Sequence, residues 1–193
     1  MYQPNIVVLA GSLRSGSYNK MLASLVADAA IEAGAKITTL DLRDLALPLF
    51  DEDLEAASGL PEGALKLKAL FRASDGFIIA SPEYNSSITA VLKNAIDWAS
   101  RAESEEEAPL SAYKGKIAVL CSASPGVLGG LRGLVTLRSI LGNIGVLVLP
   151  DQVCLSAANK AFDEANKLKD ERKAKQVIAL ANTLVDTIRK QKG

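Results

Sequence analysis

The sequence predicts an α/β fold: a doubly wound, five-stranded parallel sheet with helices on both faces. Three observations carry this. Short, nearly continuous apolar runs recur along the chain, stretches with helical periodicity lie between them, and neither an internal repeat nor a linker divides the 193 residues. Strand then helix, repeated, is the signature of βαβ units, whose right-handed crossovers place helices over both sides of a parallel sheet.

The first strand is Ile6-Val7-Val8-Leu9-Ala10, the second a weaker Ile37 to Leu40, and the third Phe77-Ile78-Ile79-Ala80. Ile117-Ala118-Val119-Leu120-Cys121 and Val146-Leu147-Val148-Leu149 supply the fourth and fifth. Unbroken apolar runs imply burial on both faces. The first helix follows from Leu22, Leu25, Val26 and Ala29 at i, i+3, i+4, i+7, stopped by Gly34. A second carries Leu67, Leu70 and Phe71, with Pro61 as its first residue. Further helices fit Val91 to Arg101, Leu131 to Leu141, and a long C-terminal segment striped by Val177, Ile178, Ala181, Leu184, Val185 and Ile188. Two connections are unusually long, Leu42 to Leu60 and Ala102 to Lys114, and such loops often cover something. Pro48, Leu49 and Phe50 suit a cover over a site or a partner subunit, and equally a plain surface excursion.

The length suits one domain spanning residues 1–193. Area scaling lets such a chain bury about 70% of its unfolded surface, so its core needs neither metal nor disulfide. With 49% hydrophobic and 23% charged residues the composition is globular and excludes disorder, and no 18-residue apolar run is present to cross a bilayer. Lys plus Arg and Asp plus Glu are both 22, so nothing in the net charge favours nucleic acid or an anionic membrane. Residues 160–193 carry nine Lys/Arg against five Asp/Glu, and Glu103, Glu105, Glu106 and Glu107 form an acidic run; both read as solvated surface. Met1 to Asn5 lacks a basic n-region and Ile6 to Ala10 is too short for a secretory core, so a cytoplasmic location is expected. Cys121 and Cys154 match no metal-ligand spacing and read as small buried side chains. The absence of histidine removes His-dependent triads, His metal ligands and His general bases. An enzyme built on this chain needs a carboxylate mechanism or a cofactor that brings its own chemistry.

In an open α/β sheet ligands bind beyond the carboxyl ends of the strands. The loop after the first strand, Gly11-Ser12-Leu13-Arg14-Ser15-Gly16-Ser17-Tyr18-Asn19, suits an anion: small residues for tight turns, hydroxyls and an amide for hydrogen bonds, one fixed charge, and a helix N-terminus behind them. It is not the dinucleotide fingerprint, since Leu13 replaces the second glycine, nor a Walker A loop, since Ser17 stands at the lysine position. Helix capping and chain turning would account for the same residue types. After the third strand comes Ser81-Pro82-Glu83-Tyr84-Asn85-Ser86-Ser87, where an aromatic can pack along a planar ring and amides can bond to its heteroatoms, or where Ser86 or Ser87 simply caps the next helix.

Taken together, residues 11–19, Ser-Pro-Glu-Tyr-Asn at 81–85 and Leu-Lys-Asn-Ala-Ile-Asp-Trp at 92–98 closely resemble the NADPH-dependent FMN reductase family, nearest its chromate/quinone reductase branch. The resemblance implies a flavodoxin-like sheet of order 2-1-3-4-5, a single FMN-binding domain, and homodimers or homotetramers. It implies that Ser12, Arg14, Ser17 and Asn19, with Tyr18 beside them, hold the FMN phosphate, and that Pro82, Glu83, Tyr84 and Asn85 line the isoalloxazine. The loop Ser122 to Gly130 matches less distinctively; its place suggests contacts from Ser122, Ser124 and Gly126 to the ribityl chain or ring edge. Asp97 and Trp98, inside a helix, are expected to pack or form an interface.

The activity implied is FMN-dependent transfer of electrons from NADPH or NADH to a quinone or another small acceptor such as chromate, an azo or a nitro compound, with no catalytic side chain and no metal. Alternatives are a flavodoxin-type electron carrier and a reductase that releases reduced FMN. A phosphoacceptor module is disfavoured by Ser81 where a nucleophilic Asp is needed. Arg101, Lys114 and Arg132 are the candidates, by proximity, for recognising a 2′-phosphate.

Overall fold

The computed structural model describes residues 2–193. Among these, the chain runs β1 (Asn5–Ala10), α1 (Tyr18–Glu32), β2 (Lys36–Leu40), a 3₁₀ turn (Leu42–Leu45), α2 (Glu52–Ser58), α3 (Glu62–Ala73), β3 (Gly76–Ala80) and α4 (Ala90–Ser100), and continues through β4 (Ile117–Ala123), α5 (Leu131–Asn143), β5 (Leu147–Leu155), α6 (Ala158–Ala161) and α7 (Glu171–Lys192). The five strands form one parallel sheet of order β2-β1-β3-β4-β5, as the resemblance implied. No helix of the described residues is long and apolar enough to cross a membrane.

The three central strands are buried along nearly their whole length, whereas β2 and β5 expose several side chains. The expectation of two covered faces therefore fails in part at the sheet edges, where no further strand flanks β2 or β5. On β5 the register to β4 shifts between Ala118 and Leu120, and the departure falls at Pro150 and Asp151. Proline is tolerated on such an edge because its missing N–H withdraws no ladder bond. Arg138 of α5 holds this irregular backbone, its guanidinium donating to the carbonyls of Val148 and Leu149 at 3.2 and 2.7 Å.

Two apolar layers flank the sheet. One packs Leu22, Val26 and Ala30 of α1 and Leu180, Leu184 and Ile188 of α7 on Ile6, Val8, Ile78 and Val119; the other packs α3, α4 and α5 on Val7, Leu9, Phe77 and Leu120. In α7 the expected stripe faces inward except for Ile178, which is 46% exposed. Pro61 precedes α3 as its N-cap instead of opening it, and α4 is capped by Thr89, not Ser86 or Ser87: Leu92 N–H donates to Thr89 Oγ1 at 3.3 Å.

Both long connections are structured. The first contains the 3₁₀ turn and α2, and α4 grips its Pro48 to Phe50 segment: Asn94 Nδ2 and Trp98 Nε1 each donate to Pro48 O at 2.8 Å, and Phe50 N–H donates to Asn94 Oδ1 at 2.8 Å. Trp98, fully buried, meets Phe50 edge-on at 5.0 Å. The second folds the two ends of its acidic run, Glu103 and Glu107, back onto α3 while Glu105 and Glu106 stay exposed, so the reading of that run as solvated surface holds for its middle and fails at Glu107. Lys68 Nζ, fully buried, pairs with Glu107 at 2.8 Å and Glu103 at 3.5 Å, while Arg72 pairs with Glu103 at 2.7 Å. A buried ammonium must be matched by charge and hydrogen bonds, and these carboxylates supply them. Burial raises the Glu107 carboxyl's pKa, yet hydrogen bonds from Lys68, Ser111 and the Glu103 N–H outweigh it and bring the value down to about 2.

Candidate active site

In this sheet the winding reverses between β1 and β3, so the loops that leave their carboxyl ends diverge and open a cleft. A cleft of about 300 Å³ lies there, lined by Ser12, Arg14, Ser17, Tyr18 and Asn19 from the first loop and helix, Pro82, Glu83 and Tyr84 from the third-strand loop, and Ala123, Ser124 and Pro125 beyond β4. Backbone and hydroxyl bonds tie the three loops together. Gly11 N–H donates to Ala80 O at 2.9 Å, Thr89 Oγ1 donates to Gly11 O at 2.7 Å, and Ser81 N–H donates to Cys121 O at 2.9 Å.

The first loop leaves its anion-seeking groups unengaged. Ser17 is the N-cap residue of α1, yet its side chain makes no capping bond, and the first turn of α1 carries no acidic residue. Helix N-termini leave N–H groups without intrahelical partners, and their positive end favours an anion. Arg14 has no carboxylate partner among the described residues and lies over the Tyr18 ring at 5.1 Å, and Tyr18 stacks on Phe162 at 6.2 Å with the rings 7° from parallel. The guanidinium is thus held at the cleft with its charge available. Ser12 Oγ accepts from Arg14 N–H at 3.3 Å and shapes the loop.

Asn19 lines the cleft and also has a structural bond there. Its Nδ2 donates to Ala123 O at 2.8 Å and its Oδ1 accepts from Ala123 N–H at 3.0 Å. This two-point bond fastens the start of α1 to the end of β4, so the amide shapes the cleft floor and keeps one of its two Nδ2 hydrogens uncommitted.

Glu83 also lines the cleft, with its carboxylate directed to α5. Its carboxylate accepts from Arg132 N–H at 3.0 Å, Gly133 N–H at 3.3 Å and Arg132 Nε at 2.7 Å, capping α5 from the third-strand loop. Burial raises its pKa, but these hydrogen bonds and the Arg132 charge win and hold it below the usual carboxylate value. Tyr84, 60% exposed, forms the rim, and it bonds through backbone to Ser87 at 2.9 and 3.0 Å around Asn85 and Ser86, both with positive φ of 52° and 66°. Asn85 stands at this tight tip outside the cleft lining.

Of the β4 loop, Ser124 lines the cleft and accepts from Gly126 N–H at 3.2 Å, whereas Gly126 itself is outside the lining. Ser122 is fully buried with its hydroxyl donating to Ser81 O at 2.6 Å, so it staples two strands instead of meeting a ligand. Gly130, at φ 89°, lies against it: a Cβ there would come within 1.8 Å of Ser122 Oγ. Ala123 and Pro125 line the cleft without having been singled out; a small residue ending a central strand was the one signal for Ala123. The two cysteines are on opposite faces of the sheet, and burial pushes the Cys121 thiol up to about 12.

The candidates for a 2′-phosphate are otherwise engaged. Arg132 pairs with Glu83, and Arg101 Nε donates to both Glu55 carboxylate oxygens at 2.9 Å. Lys114 is adjacent to Gly145, at the amino end of the sheet.

Comparison with known proteins agrees with this geometry. A profile described as NADPH-dependent FMN reductase matches residues 4–160. An NAD(P)H-dependent FMN reductase of Pseudomonas aeruginosa is 38% identical over 175 residues, covering 90% of this chain and 88% of that protein. A quinone reductase of Escherichia coli is 38% identical over 147 residues, 75% of this chain and 72% of that one. Among solved structures, FerB, a flavoenzyme NAD(P)H:(acceptor) oxidoreductase from Paracoccus denitrificans, superposes with a TM-score of 0.82 at 30% identity, covering 97% of this chain and 98% of that one. An archaeal flavodoxin superposes with a TM-score of 0.61 at 8% identity, a likeness of fold alone. By sequence and by architecture, the chain belongs to the NADPH-dependent FMN reductase family and is an oxidoreductase.

Proposed function

We propose that residues 1–193 act as one FMN-binding domain that oxidises NAD(P)H and reduces quinones or other small acceptors in the cytoplasm. One observation supports this above others: Ser17, Arg14 and the first turn of α1, all without anionic partners, face the same cleft as Pro82 and Tyr84. The groups present fit FMN, a terminal phosphate at one end and a flat ring at the other. Bound FMN supplies the chemistry, accepting a hydride from the nicotinamide and passing electrons on.

The residues have distinct parts in this reading. Arg14 and the α1 N-terminus neutralise the phosphate, and Ser17 donates a hydroxyl to it. Pro82 and Tyr84 flank the ring, and the exposed Tyr84 rim leaves room for a second planar molecule above it. Asn19, Ser122 and Glu83 fix the backbone of the three loops, so the cleft is pre-formed and little ordering entropy opposes binding. Backbone amides of the third-strand loop would favour negative charge on a ring held beside Pro82 and Tyr84. Self-association into a dimer or tetramer is supported by the exposed apolar side chains Val127, Leu128, Leu131 and Val135 along the start of α5.

An anaerobic absorbance titration tests the reading. The FMN-loaded protein retains its yellow band through desalting, and NADPH or NADH bleaches that band far faster than it bleaches free FMN. Retention without bleaching would make the protein a flavodoxin-type carrier, and failure to retain FMN after desalting despite rapid turnover would make flavin a diffusible substrate.

A further inference from the structure

A second concavity, of about 230 Å³, lies at the carboxyl end of β5, one strand beyond the cleft already described. Lys160, Lys169 and Lys173 line it together with Ser156 and Asp170. Lys160 and Lys169 have no carboxylate partner among the described residues, and Lys173 Nζ donates only to Cys154 O at 3.2 Å. The one carboxylate, Asp170, is occupied in capping α7, accepting from Arg172 and Lys173 N–H at 2.8 and 3.2 Å. Three lysines therefore line one hollow with little local neutralisation, in a chain whose net charge is zero.

The two concavities share a wall. Ser124 N–H donates to Leu155 O at 3.0 Å and Ala158 N–H donates to Ser124 O at 3.1 Å. Ser124 lines the first concavity, Leu155 the second. The Arg14–Tyr18–Phe162 stack runs between them, since Phe162 bridges to Leu168 of the second wall.

A dinucleotide whose nicotinamide enters the first cleft must lay its adenosine end outside it. Toward β2 the way carries Asp41, Asp44, Asp51, Glu52, Asp53 and Glu55, and its cations are engaged, Lys20 with Asp41, Arg101 with Glu55 and Arg43 with Leu13 O. Toward β5 it is basic. We propose that Lys160, Lys169 and Lys173 bind the 2′-phosphate of NADPH and so select it over NADH. This rests on the reductase reading above. Lys169 and Lys173 lie beyond residue 160, where the family profile match ends. A phosphate with two charges gains from several nearby ammonium groups, and an adenosine lacking it leaves them unmatched.

The test is calorimetric titration with adenosine 2′,5′-bisphosphate and with 5′-AMP, on the protein as purified and again with FMN added. The bisphosphate is expected to bind at least about fivefold tighter than 5′-AMP, a margin set by exposed charge contacts, and the preference is expected to weaken with salt. In Lys160→Ala/Lys169→Ala the preference disappears while FMN affinity and melting temperature hold, and in Lys175→Ala, outside the hollow, it persists. In steady state the double variant raises KM for NADPH, leaving kcat and KM for NADH unchanged. Equal affinity for both nucleotides, a preference that survives the double variant or is lost with Lys175→Ala, or equal displacement by inorganic phosphate would each overturn the assignment. The calorimetric results do not depend on whether the bound flavin is bleached, so the site can fail while the reductase reading stands, and the reverse.

Discussion

At the scale of single residues, the first loop separates groups that bind from groups that build. Ser17→Ala is expected to weaken FMN binding while changing stability by less than about 0.5 kcal/mol, because the hydroxyl makes no capping bond whose loss would normally cost about 1 kcal/mol. Arg14→Ala removes the one fixed positive charge and is expected to weaken FMN binding by about tenfold, the order of one charge-assisted hydrogen bond. Fluorescence titration of FMN checks both. Asn19→Ala behaves oppositely: it leaves the N–H and C=O of Ala123 without partners and should cost about 2–4 kcal/mol in urea unfolding. These roles were only half visible in the sequence. Motif position placed Ser17 and Asn19 in the same loop, but whether a side chain is free or engaged depends on a backbone 104 residues away for Asn19 and on an arginine 49 residues away for Glu83.

At the scale of elements, the contact of α3 with the 102–114 connection is electrostatic and pH-dependent. Glu107 has an ordinary value of 4.5 and is lowered to about 2 in the fold. A lowered carboxyl contributes stability that is complete above its unfolded value and is lost as pH falls toward its folded one. The melting temperature of the native protein should therefore fall more steeply between pH 4.5 and about 2 than that of Glu107→Gln, which a series of thermal scans would read. Lys68→Ala opens a buried space and leaves Glu107 with only Arg72, at 3.6 Å, as a charge partner, and is expected to cost about 3 kcal/mol. Packing of α3 on the 3₁₀ turn is equally intolerant. A Cβ on Gly63 would stand 1.9 Å from Leu45 O, so Gly63→Ala should destabilise by more than about 2 kcal/mol in the same unfolding assay. An acidic run and a lone glycine look like surface and flexibility in one dimension, because the partner that defines each is distant along the chain.

At the scale of the whole molecule, ligand binding and folding are linked. FMN at a hundred times its dissociation constant should raise global stability by about 2.7 kcal/mol, visible as a concentration-dependent melting temperature, and Arg14→Ala should need proportionally more FMN for the same rise. The sequence by itself determined the alternation of strands and helices, hence the parallel sheet, and through two motifs the family and the place of the cleft, because periodicity and loop composition are local quantities that chain order carries directly. Only the tertiary structure decided which of the motif's side chains are free to meet a ligand, why β2 and β5 are half exposed, where the acidic run folds, and that lysines at 160, 169 and 173 line one hollow. Those outcomes depend on which distant segments share a neighbourhood and on which polar groups satisfy one another there, and the order of residues along the chain does not display that pairing.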